Sequence, residues 1–378
     1  MQQVDWRGAA AELAEGVIGF TQRLVQTPSI SGEEGALAAL VTAELRALGY
    51  DDVIVDEIGN VVGVIRGVVA GPGVLYNTHL DHVDPGRRDA WAHDPYAGTI
   101  ADGYIHGRGA SDIKGPLAAQ VYAGALLRRS GLRLRGNVVV SCVVQEETAD
   151  HFGIRFLCDH TLPAHRLEVG LAVLGEPTGL DVYLGHRGRT EIEVETQGRT
   201  CHASAPWRGV NAVYQMVPVV ERIRAIESAL PVHPTLGQAT IALTVISCSP
   251  GRLSVVPDHC LINLDRRFLP DETLESMLEQ IQAILDVREQ NDPDFRAIVR
   301  IREVEQVSYT GYRARVKKLV GSYLLPTNHP KVSVALDALR GMGASPKVGH
   351  WTFGTDGSYT AGLGIPTIGY SAGVEANV

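Results

Sequence analysis

The strongest constraint on this chain is where its apolar stretches stop. Val74–Asn77, Asn137–Val144 and Leu171–Leu174 are short apolar runs, and each leads within a few residues to a histidine or a carboxylate. Helical patterns lie between and around them. One covers Leu13–Val25, one is opened by the capping-box spacing of Ser31 and Glu34 and ends near Gly49, and one covers Gly115–Arg129. Strands that are apolar on both faces and alternate with helices predict a mainly parallel sheet flanked by helices, an α/β fold. Two antiparallel pairs complete the picture. Val53–Asp56 meets Val61–Arg66 across Gly59-Asn60, and Thr99–Ile100 meets Tyr104–Ile105 across Asp102-Gly103.

After Gly185 the pattern changes. Thr190–Thr196 alternates polar and apolar residues, as a half-exposed strand does. A helix over Asn211–Ser228, strands at Ala239–Ile246 and His259–Phe268, a helix over Glu272–Leu285 and a strand at Phe295–Ile301 follow. This reads as an α+β domain inserted into the larger one. The expected division is 1–186, the insertion at 187–305, and 306–378, where the first architecture resumes with a helix at Val332–Met342 and an apolar segment at Ile365–Gly369.

Charge excludes some roles. Lys and Arg number 34 against 43 Asp and Glu, a formal charge of −9 that disfavours nucleic acid and anionic membranes as partners. No cationic start with an apolar block opens the chain, and no run is long enough to span a bilayer, so a soluble cytoplasmic protein is expected. Five scattered cysteines without a CxxC pair predict neither a disulfide framework nor a thiolate metal site.

Four segments carry chemistry. Asn77-Thr78-His79-Leu80-Asp81 follows a buried strand, so His79 and Asp81 fall where open α/β sheets place their sites. Asp81 can bind a metal beside His79 or accept the imidazole's other N–H. Gly107–Gly115 carries Asp112 just before a helix; it is neither a phosphate loop nor a nucleophile elbow, and Asp112 alone reads as a cap. Glu146 and Glu147 leave an apolar strand together, and Glu176 leaves another. Singly, each is explained by a polar loop. Together they place one imidazole and several carboxylates in one structural context, a donor set that suits Zn²⁺, Mn²⁺ or Co²⁺. So many carboxylates around one histidine suggest two metals sharing a bridging carboxylate.

In this order and spacing the four segments resemble the dinuclear zinc hydrolases that include acetylornithine deacetylase, succinyl-diaminopimelate desuccinylase, aminoacylase and glutamate carboxypeptidase. The resemblance runs from about Gln22 to the last residue. It is nearest to a branch of selenium-metabolism-linked hydrolases at Trp91–Tyr96, Gly107–Gly115, Gly185–Gly188, Cys201–Pro206 and Leu264–Arg267. It implies that His79 and Glu176 bind one metal and Glu147 the other, with Asp112 bridging, Asp81 orienting His79 and Glu146 as general base. It also implies a cis peptide after Asp112, His202 as oxyanion stabiliser and Arg267 as anchor for a substrate carboxylate, helped by Arg187 and Thr355. A Cys201–His202 dyad is set aside because neighbouring strand residues face opposite sides. The family closes its second metal site with a C-terminal histidine, and by spacing that residue would follow Val378, so the chain is expected to continue.

The implied activity is hydrolysis of an N-acyl or N-carbamoyl amino acid by metal-activated water, in a homodimer formed through the inserted lid domain. Two alternatives stand beside it: a dipeptidase or carboxypeptidase of the same family, and a binding protein with an incomplete metal site.

Overall fold

The structure is a computed structural model describing residues 5–375. Val61–Ile65 and Val138–Val143 bury every side chain, and Gly73–His79 buries most of its own, so these strands can only sit inside a sheet covered on both faces. Among the described residues eight strands form that sheet. Their order is Asp52–Val55, Val61–Ile65, Val138–Val143, Gly73–His79, Val169–Leu174, Thr367–Gly369, Val182–Tyr183 and Val348–Gly349. Gly73–His79 runs parallel to both its neighbours, and Thr367–Gly369 runs parallel to Val169–Leu174. The first two strands are antiparallel, as the Gly59-Asn60 turn predicts. The fold is thus the expected α/β sheet with a parallel centre.

Each face has its own core. Leu75 joins Val62, Val64, Val139, Val143, Ile154 and Leu157 on one side. On the other, Val74 and Tyr76 pack with Val173, Val182, Val332 and Ile368, under the helix Pro330–Gly341. The helices Ala14–Val25 and Gly115–Arg129 lie where the sequence places them. The helix Gly35–Ala47 is also present, but the capping box at its start is not: Glu34 makes no side-chain cap bond. Ser31 and Glu34 are used elsewhere, as the next section describes.

The chain divides into two compact units. The larger comprises the chain up to His186, Glu305–Arg315 and the chain from Leu324; the smaller is Arg187–Val304 with Val316–Tyr323. In the smaller unit Gly188–Gln197 lies between His259–Phe268 and Arg296–Ile301, and Thr240–Ser249 forms the edge beyond His259–Phe268, all antiparallel. The segment Val316–Tyr323 belongs here because Leu319–Val320 pairs with Arg189 and Thr190. The helices Ala212–Ile226 and Leu274–Asn291 pack on this sheet. Asn211 caps the first, and Thr273 with Ser276 forms a capping box on the second. Among the described residues no helix is long and apolar enough to cross a membrane.

Candidate metal centre

Parallel pairing delivers the donors. His79 is level with Val143, and Asn77 with Leu174, so the chains that continue to Glu146, Glu147 and Glu176 leave the sheet at the same end as His79. The kinked segment Ala110–Lys114 brings Asp112 there, and the Asp112–Ile113 peptide is cis, as the resemblance implies. Ligand atoms of His79, Glu146 and Glu176 lie within 4.8 Å of one another, as do those of His79, Asp112 and Glu147. His79 belongs to both sets.

The His79 ring is held from behind. Its Nδ1 lies 2.9 Å from the main-chain carbonyl of Asp81 and 3.4 Å from the Asp81 carboxylate. The carbonyl is the nearer acceptor, so Asp81 orients the ring chiefly through its backbone. A carbonyl can only accept, which puts a proton on Nδ1 and turns Nε2 into the cluster. Nε2 lies 2.9 Å from Asp112 and 3.7 Å from Glu176. The Asp81 carboxylate, wholly buried, accepts the amides of Glu146 at 3.0 Å and Glu147 at 3.2 Å and the hydroxyl of Ser31 at 2.7 Å.

Electrostatics test whether cations fit. Burial, aided by the charges of Glu176 and Asp356, pushes the Glu146 carboxyl well above the usual range. Burial and the Asp112 charge do the same to Glu176. Glu147 is raised to about 7, by burial first and then by Asp112 and Asp81 against the opposing His79. Burial would lower His79, but hydrogen bonding to Asp112 and Asp81 and the charges of Asp112 and Glu146 raise it well above its ordinary value. Burial likewise works to raise Asp81, yet its bonds with His79, Ser31 and the Glu146 amide hold it below the ordinary value. Carboxylates crowded this way resist ionisation until positive charge arrives. An oxygen-rich set with one imidazole and no thiolate fits divalent cations of the zinc, manganese and cobalt kind.

Several participants escaped the sequence reading. Asp356, buried, is 3.3 Å from Asn77 Nδ2 and 3.3 Å from His151 Nδ1, while His151 Nε2 is 2.9 Å from the Ser358 hydroxyl. The signal was present, since Asp356 stands in the Gly354–Gly357 segment beside Thr355. Thr355 itself is fully buried; its amide donates to His186 and its hydroxyl accepts from Gly357. Its side chain thus holds the turn that carries Asp356. Glu34, also fully buried, accepts the amides of Gly32 and Gln145.

Three predicted residues belong to the smaller unit. His202 is exposed; its Nδ1 accepts the Ser204 amide at 3.1 Å, which leaves the ring proton on Nε2 as a free donor. The Cys201 thiol donates to the Ala205 carbonyl, so the two form no dyad. Arg267 donates to Asp265 at 2.7 Å, and Arg187 donates to the Gln238 carbonyl at 2.6 Å.

Strand ends that bring one imidazole and several carboxylates, buried or half-buried, to one point give an α/β fold the donor set of a metal-dependent hydrolase. The chain belongs to peptidase family M20/M25/M40, whose profile matches residues 75–377. It is 33% identical over 360 residues to YgeY, an uncharacterized protein of Escherichia coli K12, covering 94% of this chain and 86% of that one. It is 28% identical over 360 residues to succinyl-diaminopimelate desuccinylase of Corynebacterium glutamicum, covering 94% and 88%. Among solved structures, the fold matches YxeP of Bacillus subtilis, described as a dinuclear metal binding peptidase of the M20 family. The TM-score there is 0.67, with 14% identity over 96% of this chain and 89% of that one. The dinuclear hydrolase resemblance read from the sequence is borne out at the level of the family.

Proposed function

We propose that the protein hydrolyses the amide bond of an N-acyl or N-carbamoyl amino acid. The observation that carries this is the pair of overlapping donor sets that share His79, with Glu146 half-buried beside Glu176 in one of them. His79 and Glu176 would hold one cation and Glu147 the other, with Asp112 between them, zinc being first choice and cobalt or manganese next. Two such cations would supply Lewis-acid polarisation of the scissile carbonyl and offset the carboxylate charge. Glu146 accepts a proton from the water whose oxygen bonds to the carbonyl carbon. It returns that proton to the nitrogen as the C–N bond breaks. The Nε2–H of His202 donates to the oxyanion, and Arg267, with Arg187, pairs with the carboxylate of the amino acid. The smaller unit serves as lid and as the contact between two copies of the chain.

Desuccinylation in the Corynebacterium relative favours an acylated amine over a peptide. The decisive experiment assays the protein, loaded in turn with Zn²⁺, Mn²⁺ and Co²⁺, against N-acyl amino acids, N-carbamoyl amino acids and dipeptides. Turnover confined to the first two groups is expected. Turnover confined to dipeptides would make it a dipeptidase, and metal uptake with no turnover would make it a binding protein.

A further inference from the structure

We infer that the segment Ser29–Glu34 is a brace that fixes the two metal-bearing loops relative to each other, with Glu34 as its positioning residue. The inference rests on the proposed reading of what Glu146 and Glu147 do. On one side the segment is sewn to the loop after Gly73–His79. Ser29 N donates to His82 Nε2 at 3.0 Å, His82 N donates to Ser29 O at 3.0 Å, and Ser29 Oγ donates to Leu80 O at 2.8 Å. Ser31 Oγ donates to Asp81 at 2.7 Å. On the other side Glu34 Oε1 accepts the Gln145 amide at 3.1 Å, and also the Gly32 amide at 3.0 Å.

The result is unusual in one respect. Three consecutive amides, those of Gln145, Glu146 and Glu147, all donate to buried carboxylates, the first to Glu34 and the next two to Asp81. Consecutive residues of an extended chain aim their side chains oppositely. Here Gln145 takes a left-handed φ of 52°, and the clamped turn lets Glu146 and Glu147 both join the donor sets around His79. Holding a left-handed backbone at a residue other than glycine costs free energy that neighbouring structure must offset.

Glu34 is costly to keep. It is fully buried, its Oε2 finds no hydrogen-bond partner, and it does not cap its own helix. A polar group in that state is destabilising unless it secures something in return. What it secures is the Gln145 amide. Gln145 is tied a second time, its side-chain amide donating to Val307 O at 2.7 Å. The brace is therefore a positioning device: it touches no reacting atom and acts through the turn.

The test compares wild type, Glu34→Ala and Glu34→Gln as full-length, metal-free protein by amide-resolved hydrogen exchange, and then titrates each with Co²⁺ while recording its d–d absorption. Glu34→Ala should speed exchange at Gln145, Glu146 and Glu147 by about tenfold or more over wild type, with distant strand amides little changed. Its Co²⁺ affinity should fall by about 10–100-fold. Glu34→Gln keeps an acceptor oxygen and should restore both readouts. Unchanged exchange at those three amides in Glu34→Ala, or a Glu34→Gln variant no better than Ala, would overturn the brace. If Glu34→Ala does not fold, Ser31→Ala replaces it: faster exchange at Glu147 than in wild type supports the brace, and an unchanged rate rejects it. Exchange is read without metal or substrate, so failure of the hydrolysis assay and failure of the brace are separate results.

Discussion

Glu146 and Glu147 are chemically identical neighbours, and the proposed mechanism gives them different work. Glu147 binds a cation; Glu146 moves a proton. The geometry makes the distinction testable, because Glu146 is also within ligand distance of His79 and Glu176. Replacing it with Gln keeps an oxygen and the shape but removes the basic carboxylate. Glu146→Gln should lower kcat by about 10²–10⁴-fold while two metal equivalents per chain remain by elemental analysis. If one equivalent is lost as well, Glu146 is a ligand and the base must be sought elsewhere. That His79, Glu146, Glu147 and Glu176 would share one end of the sheet was legible, because each follows an apolar strand; Asp112, standing before a helix, read alone as a cap. Glu34 was not, because Ser31-x-x-Glu34 before a helix has the spacing of an ordinary capping box. Asp356 was not, because its partners Asn77 and His151 are 279 and 205 positions away in the chain.

At the scale of elements, periodicity served well where strands and helices are long. The strand His259–Phe268 and the helix Gly115–Arg129 have the bounds read from the sequence. It failed where tertiary contact decides. Asn137–Val144 was read as one apolar run, but the strand ends at Val143, two residues before the left-handed Gln145. Val182–Tyr183 and Val348–Gly349 were not read at all, two residues being too few to show an alternation. The turn Gly59-Asn60 illustrates how a local signal can carry a long-range duty. Asn60, fully buried, donates to Asp56 at 2.9 Å and to Gly153 O at 3.0 Å, and accepts the Val144 amide at 2.9 Å. It thus ties a hairpin turn to the strand end that leads to Glu146. Asn60→Ala would leave the Val144 N–H and the Gly153 carbonyl buried without that partner. The expected cost is about 2–4 kcal/mol, seen as a lower urea midpoint at unchanged m. A midpoint equal to wild type would mean that water replaces the amide at little cost.

For the whole molecule, the question is what covers the outer edge of the smaller sheet. Thr240–Ser249 pairs with His259–Phe268 and stands at the end of the strand order. From Ala242 to Ser249 every residue is exposed, including Leu243, Val245 and Ile246 at 40%, 49% and 58%. Solitary proteins protect such an edge with Lys, Pro or a cover, yet this strand has no charged residue and no proline. The dimer proposed above would supply a cover, since an edge meeting itself across a two-fold axis would pair antiparallel and bury the same apolar side chains twice. On this reading the protein sediments as a dimer at micromolar concentration. Ile246→Lys, which places a charge on the edge in the way solitary proteins do, should sediment as a monomer while its melting temperature changes little. A wild-type chain that is monomeric under those conditions would remove the second copy as the occupant. If the lysine variant stayed dimeric, the contact would have to lie elsewhere on the chain.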